Sequence, residues 1–125
     1  MKSNLIVIIF IAFSCAFSQS NPNKCNVEVE DVSELNSFGY LLGYTVTFKN
    51  NSKKTVDGIW WKASFYNNAD ELIKEKNYSF NSDNLIDPIG VGFTKSIVRS
   101  PRVRGASIVK IKITKVHYSD DSLCD

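Results

Sequence analysis

This 125-residue chain is short of several things, and each shortage narrows what it can be. It has a single histidine, His117, which leaves enzyme constellations poorly supplied. Charge of one sign is scarce: 15 Lys and Arg stand against 13 Asp and Glu, a net of +2. Bulk attraction to nucleic acid needs a larger excess, so no nucleic-acid partner is expected. Apolar residues do not recur at three- and four-residue spacing over any long stretch, which removes a long amphipathic helix. No glycine-rich loop stands between a strand and a helix, which removes a dinucleotide site and any cofactor it would bring. Gly39, Gly43, Gly58, Gly90 and Gly92 read as turn or bulge residues instead. Finally, no apolar run reaches the roughly 20 residues that cross a bilayer.

The one continuous apolar run, Leu5 to Phe13 (LIVIIFIAF), follows Lys2 and precedes Ala16-Phe17-Ser18. A short positive start, a compact apolar stretch and small residues two apart fit an export signal cleaved before Gln19. Residues 1–18 are therefore read as a leader and 19–125 as one domain, secreted or periplasmic. Lipid attachment at Cys15 is a minor alternative, because Phe13 puts a ring where a lipidation motif prefers small residues. Losing 18 of 125 residues leaves 107, enough for one core and too few for two domains with a cleft between them.

Cleavage also removes Cys15, leaving Cys25 and Cys124 near opposite ends. In an oxidising compartment two such cysteines are expected to pair, laying the first segment beside the end of the last strand.

What the chain does have is period-two alternation. Leu42, Tyr44, Val46 and Phe48 alternate with Gly43, Thr45, Thr47 and Lys49, so the even set should face a core. Ile59, Trp61, Ala63 and Phe65 alternate in the same way with Trp60, Lys62, Ser64 and Tyr66. Val27 and Val29 suggest a short first strand. Leu72 to Tyr78 suggests another, with an amphipathic helix over Glu71 to Lys76 as the alternative. Val91, Phe93 and Ile97 open a further strand, and Leu85 and Ile86 are expected to plug the core. In the last strand Val109, Ile111 and Ile113 share a face, but the apolar phase then moves to Val116 and Tyr118. A bulge near Lys115 would account for the change. Six or seven short strands separated by Asn, Gly, Ser and Pro turns predict an all-β, two-layer antiparallel sandwich, with a closed barrel as the alternative.

Three stretches, LGYTVTFKNNSKKTV, IWWKASFYNNADELI and IVKIKITKVHYSDDSLCD, resemble FxLYD-type and related immunoglobulin-like domains of bacterial exported proteins. The likeness covers Leu42 to Asp125 and implies an immunoglobulin-like sandwich serving as a non-catalytic accessory or interaction module. The chain departs from such relatives where Asn68-Ala69-Asp70 and Asp120-Asp121 replace Asp-Gly turns, and where Cys124 stands near a terminal aromatic position.

Catalytic constellations are poorly represented. His117, Ser119 and Asp120 lie close in sequence, but neighbours on a strand point to opposite faces and cannot readily assemble a triad. Glu28, Glu30, Asp31 and Glu34, with Asp120, Asp121 and Asp125, would come together through the disulfide. They read as solvated faces, since their spacing matches no calcium loop. No acid interrupts Lys95, Arg99, Arg102, Arg104, Lys110, Lys112 and Lys115. These residues predict a positive stripe suited to an acidic partner, or lysines that simply guard a sheet edge. Trp60 and Tyr66, with Lys62 between them, sit on the face opposite Trp61 and form an amphipathic aromatic surface for a protein or glycan, unless a loop covers it. Asn50-Asn51-Ser52 and Asn77-Tyr78-Ser79 match the N-glycosylation pattern, which matters only in a glycosylating host. The expected function is a non-catalytic binding module. An inhibitor or immunity-type protein capping a toxin or hydrolase is the alternative, and a small hydrolase the weakest reading.

Overall fold

Alternating apolar and polar side chains can bury one face only if strands pair and two sheets stack, and that is the arrangement found. The computed structural model describes residues 24–81 and 87–125. The expected leader, Cys15 and the pair Leu85 and Ile86 lie outside them. Eight strands follow in order: β1 (Val27–Ser37), β2 (Tyr40–Asn50), β3 (Val56–Tyr66), β4 (Leu72–Asn81), β5 (Thr94–Arg99), β6 (Val103–Arg104), β7 (Ile108–Tyr118) and β8 (Leu123–Cys124). No helix occurs among the described residues, and Leu72 to Lys76, in the stretch where a helix was the alternative, belong to β4.

Sheet A has the order β1-β2-β5, with β6 also pairing with β2; sheet B has the order β4-β3-β7-β8. All the pairings are antiparallel. Between the β1 and β7 edges, side chains replace ladder bonds. Asn36 Nδ2 donates to the Ser107 carbonyl at 3.1 Å, and Glu34 Oε2 accepts the Val109 amide at 3.1 Å. The structure is thus a two-layer sandwich and not a closed barrel.

Tyr44, Val46 and Phe48 of β2 meet Ile59, Trp61, Ala63 and Phe65 of β3 across the core, all of them buried. Trp61 Nε1 donates to Tyr44 Oη at 3.0 Å, so the largest buried ring has its one polar atom satisfied. Burial pushes the Tyr44 phenol up to about 12. Phe48 packs on Trp61 at 5.1 Å between centroids, and Tyr78 stacks on it at 5.9 Å.

Bulges explain where the simple alternation fails. Leu35 pairs with Gly43 and Asn36 with Leu41, so Leu42 is an extra residue and the phase of β2 flips. Leu41 is consequently buried and Leu42 only half-buried, the reverse of what alternation implied for that position. On β7, Lys115 pairs with Trp60 and Ile113 with Trp61, leaving Thr114 as the extra residue. This is the bulge expected near Lys115, and it lets both Val109 and Val116 face the core.

Val91 and Phe93 depart from expectation. They are 51% and 69% exposed in a turn before β5, and Ile89, bonded through its backbone to Val56, fills the core there. Asn50 fixes that end of the molecule. Fully buried, it donates from Nδ2 to the carbonyls of Lys54 and Ile89, while its Oδ1 accepts from the Ser52 amide and hydroxyl. Its amide is committed inside the fold, so the first glycosylation pattern is unusable in the folded protein; Asn77 of the second is exposed.

Cys25 and Cys124 form a disulfide with a Cα–Cα distance of 5.7 Å. It joins the start of β1 to β8, and Tyr118 Oη donates to the Cys25 carbonyl at 2.7 Å beside it. One covalent tie therefore gathers both ends of the described chain at one pole of the sandwich.

Candidate functional site

The outer face of sheet B follows directly from the pairing register. Trp60, Lys62, Ser64 and Tyr66 alternate with the buried set of β3, and each is half-buried. Lys115, Lys112, Lys110 and Ile108 of β7 lie opposite them in that order. The Lys115 ammonium sits 4.3 Å from the Trp60 ring centre, and Lys110 sits 4.5 Å from that of Tyr66. Such contacts are worth about 0.5–1 kcal/mol at exposed positions. The two rings are thus neither bare nor covered by a loop among the described residues, being lidded by lysine stems.

Between the rings Lys62 and Lys112 stand directly opposite, an arrangement that disfavours a sheet. Neither lysine makes an ion pair among the described residues. Lys110 reaches Asp70 at 3.5 Å, but both side chains are exposed and the pair contributes little. Glu75, opposite Ser64, accepts that hydroxyl at 2.9 Å. At the bulge Trp60, Asn77, Thr114, Lys115 and Asp125 line a shallow depression of about 420 Å³.

The basic stripe is split by the topology. Lys110 and Lys112 belong to this face, whereas Arg102 and Arg104 lie before and within β6 on sheet A. The β6–β7 connection crosses between layers, so closeness in sequence did not become closeness in space. Arg99 is also absent from the stripe. It lies 5.4 Å from the Trp61 ring centre and donates from Nη2 to the Ser79 carbonyl, bracing the two sheets.

His117, on β7, is half-buried between two acids. A bulge at Asp57 aims that carboxylate at Nδ1, and Asp121 lies 3.5 Å from Nε2. Asp57 was invisible in sequence because it lies 60 residues away and off-phase. Both ring nitrogens thus face carboxylates, and the neighbouring Ser119 amide donates to the Thr55 carbonyl. The hydrogen bond to Asp57 raises the imidazole above its ordinary value.

A raised folded-state value means the pair stabilises the charged ring. That contribution is complete below about pH 6.5, the unfolded value, and fades as pH rises through the folded one. Urea unfolding between about pH 6 and pH 8 should therefore show the wild-type midpoint falling relative to His117→Gln. Parallel midpoints across that range would rule the linkage out.

The acids expected to converge have separate employments. Glu28 accepts from Asn51 and Glu34 from Val109, while Asp120 takes Lys54 and Ser122, contacts that hold its carboxyl well below the usual range. No group of three metal-ligating side chains occurs among the described residues.

In class, this is an antiparallel β-sandwich whose sheet B presents an outer face of aromatics and lysines. No family model and no curated protein matches the chain. Among solved structures it is similar to a DUF1425 family member from Shewanella sp. pv-4. The TM-score is 0.50 at 15% identity, over 70% of this chain and 76% of that one. At that identity the likeness shows the fold alone.

Proposed function

We propose that this protein is an exported, non-catalytic binding module whose sheet B face holds an anionic polymer, an acidic glycan being the class that fits best. The observation that carries this reading is the opposed pair Lys62 and Lys112, which lies between Trp60 and Tyr66 and has no acid partner among the described residues. The seven residues from Trp60 to Tyr66 extend about 20 Å along β3, long enough to track several units of an extended chain. A flat face with rings at both ends and cations at the centre suits a sugar polymer carrying carboxylates or sulfates. The inhibitor or immunity reading is less favoured, because the cores of protein interfaces are depleted in lysine. The resemblance to FxLYD-type accessory domains, the disulfide and the leader-like start support an exported module.

Titration calorimetry with heparin and polygalacturonate, against neutral dextran, tests the reading. Binding to the polyanions should weaken as salt shortens the screening length to about 10 Å at 0.1 M. It should also fall about tenfold or more in Lys62→Glu/Lys112→Glu, equivalent to the loss of one or two ion contacts. Unchanged affinity in that variant, or preference for dextran, would remove the proposal.

A further inference from the structure

The outer face of sheet A carries a second surface of different composition. Ser37 and Tyr40 close a two-residue hairpin whose turn residues, Phe38 and Gly39, have φ of 49° and 80°. Such a turn asks for positive φ at both positions and is normally built from Asn-Gly. Phenylalanine is a poor choice there, since a bulky side chain is strained in left-handed backbone. Nor does its ring reward the fold, for Phe38 is 99% exposed. Two independent disadvantages meet in one residue, which points to a role outside the monomer.

Beside this knob lies a hollow. Leu35, Leu42, Gly43, Thr45, Val98 and Arg102 line a groove of about 480 Å³ on the same face. A cavity near 150 Å³ already accepts a benzene ring, so the groove can seat a phenyl group. Tyr40 pairs with Arg104 between knob and hollow. Neither Arg102 nor Arg104 makes an ion pair among the described residues. Aromatic, arginine and aliphatic side chains without lysine are the composition of a protein interface. The disulfide that joins Cys25 to Cys124 lies at the opposite pole from this hairpin.

We infer that the partner is a second copy of this chain, docked about a two-fold axis so that Phe38 of each copy fills the groove of the other. A knob and its hollow on one surface of one chain form a self-complementary pair, which two-fold symmetry requires. Phe38, Leu35 and Val98 are 99%, 63% and 64% exposed and Tyr40 39%, so a two-fold contact would take this apolar surface from water on both copies at once, toward the roughly 800 Å² per partner of an ordinary specific contact.

Sedimentation equilibrium on the oxidised protein from micromolar to millimolar concentration tests this. The wild type should pass from monomer to dimer across that range. Phe38→Asn and Val98→Glu should each weaken dimerisation at least tenfold, and Lys62→Glu should leave it unchanged. Phe38→Asn should also melt about 4 °C or more higher at the lowest concentration, because Asn tolerates the turn. That gain shows the loss of dimer is not a loss of fold. A wild type that stays monomeric at millimolar concentration overturns the inference, even if Phe38 then proves to drive binding to lipid vesicles. So does a dimer indifferent to either substitution.

Discussion

Trp61→Ala should lower unfolding stability by roughly 3–5 kcal/mol, while Trp60→Ala, one residue away, costs about 1 kcal/mol or less. The contrast follows from the faces of β3. Trp61 is fully buried, stacked on Tyr78, packed on Phe48 and bonded to Tyr44. Its removal leaves a large void and also strands the Tyr44 hydroxyl in an apolar interior. Trp60 gives up the Lys115 contact and partial burial on the outer face. Urea midpoints of the two single variants decide the matter. Equal large losses would mean that both rings belong to the core and that the proposed binding face is misplaced.

The second large effect concerns the disulfide. Its half-cystines are separated by 99 residues, a loop whose closure lowers the unfolded chain's entropy by about 4–5 kcal/mol at room temperature. Cys25→Ala/Cys124→Ala should therefore unfold at a much lower urea concentration than the oxidised protein. Reduced wild type should behave like the variant. Strand β8 contributes only two pairs to β7, so its docking depends on this tie more than on ladder bonds. An unchanged midpoint in the double variant would show that the bond adds nothing to the fold.

Much of this architecture was legible because period-two alternation is a local property. Ile59 to Phe65 states its own burial pattern, and the phase change between Ile113 and Val116 announced a bulge before any partner strand was known. The failures came where pairing with a distant strand overrides local rhythm. Leu42 loses its inward position to Leu41 because pairing with β1 inserts one extra residue into β2 there. The Arg102–Lys112 stripe divides because a short connection changes sheets, and composition cannot register such a crossing. The His117–Asp57 pair and the groove beneath Leu35 and Val98 join residues from separate strands, so no window of sequence contains them. Phe38 was different: Phe-Gly between two alternating runs marks a hairpin tip, and an aromatic at that tip was a readable signal that went unread.

Joining Cys25 to Cys124 has a mechanical consequence. Tension applied to the segments before the first cysteine and after the second would run through the sulfur–sulfur bond and bypass both sheets. Oxidised, the domain would behave under load as a nearly inextensible link, its hydrogen-bonded ladders carrying almost no force. Reduced, the same domain would have to bear the pull through its strands and would lengthen as they separate.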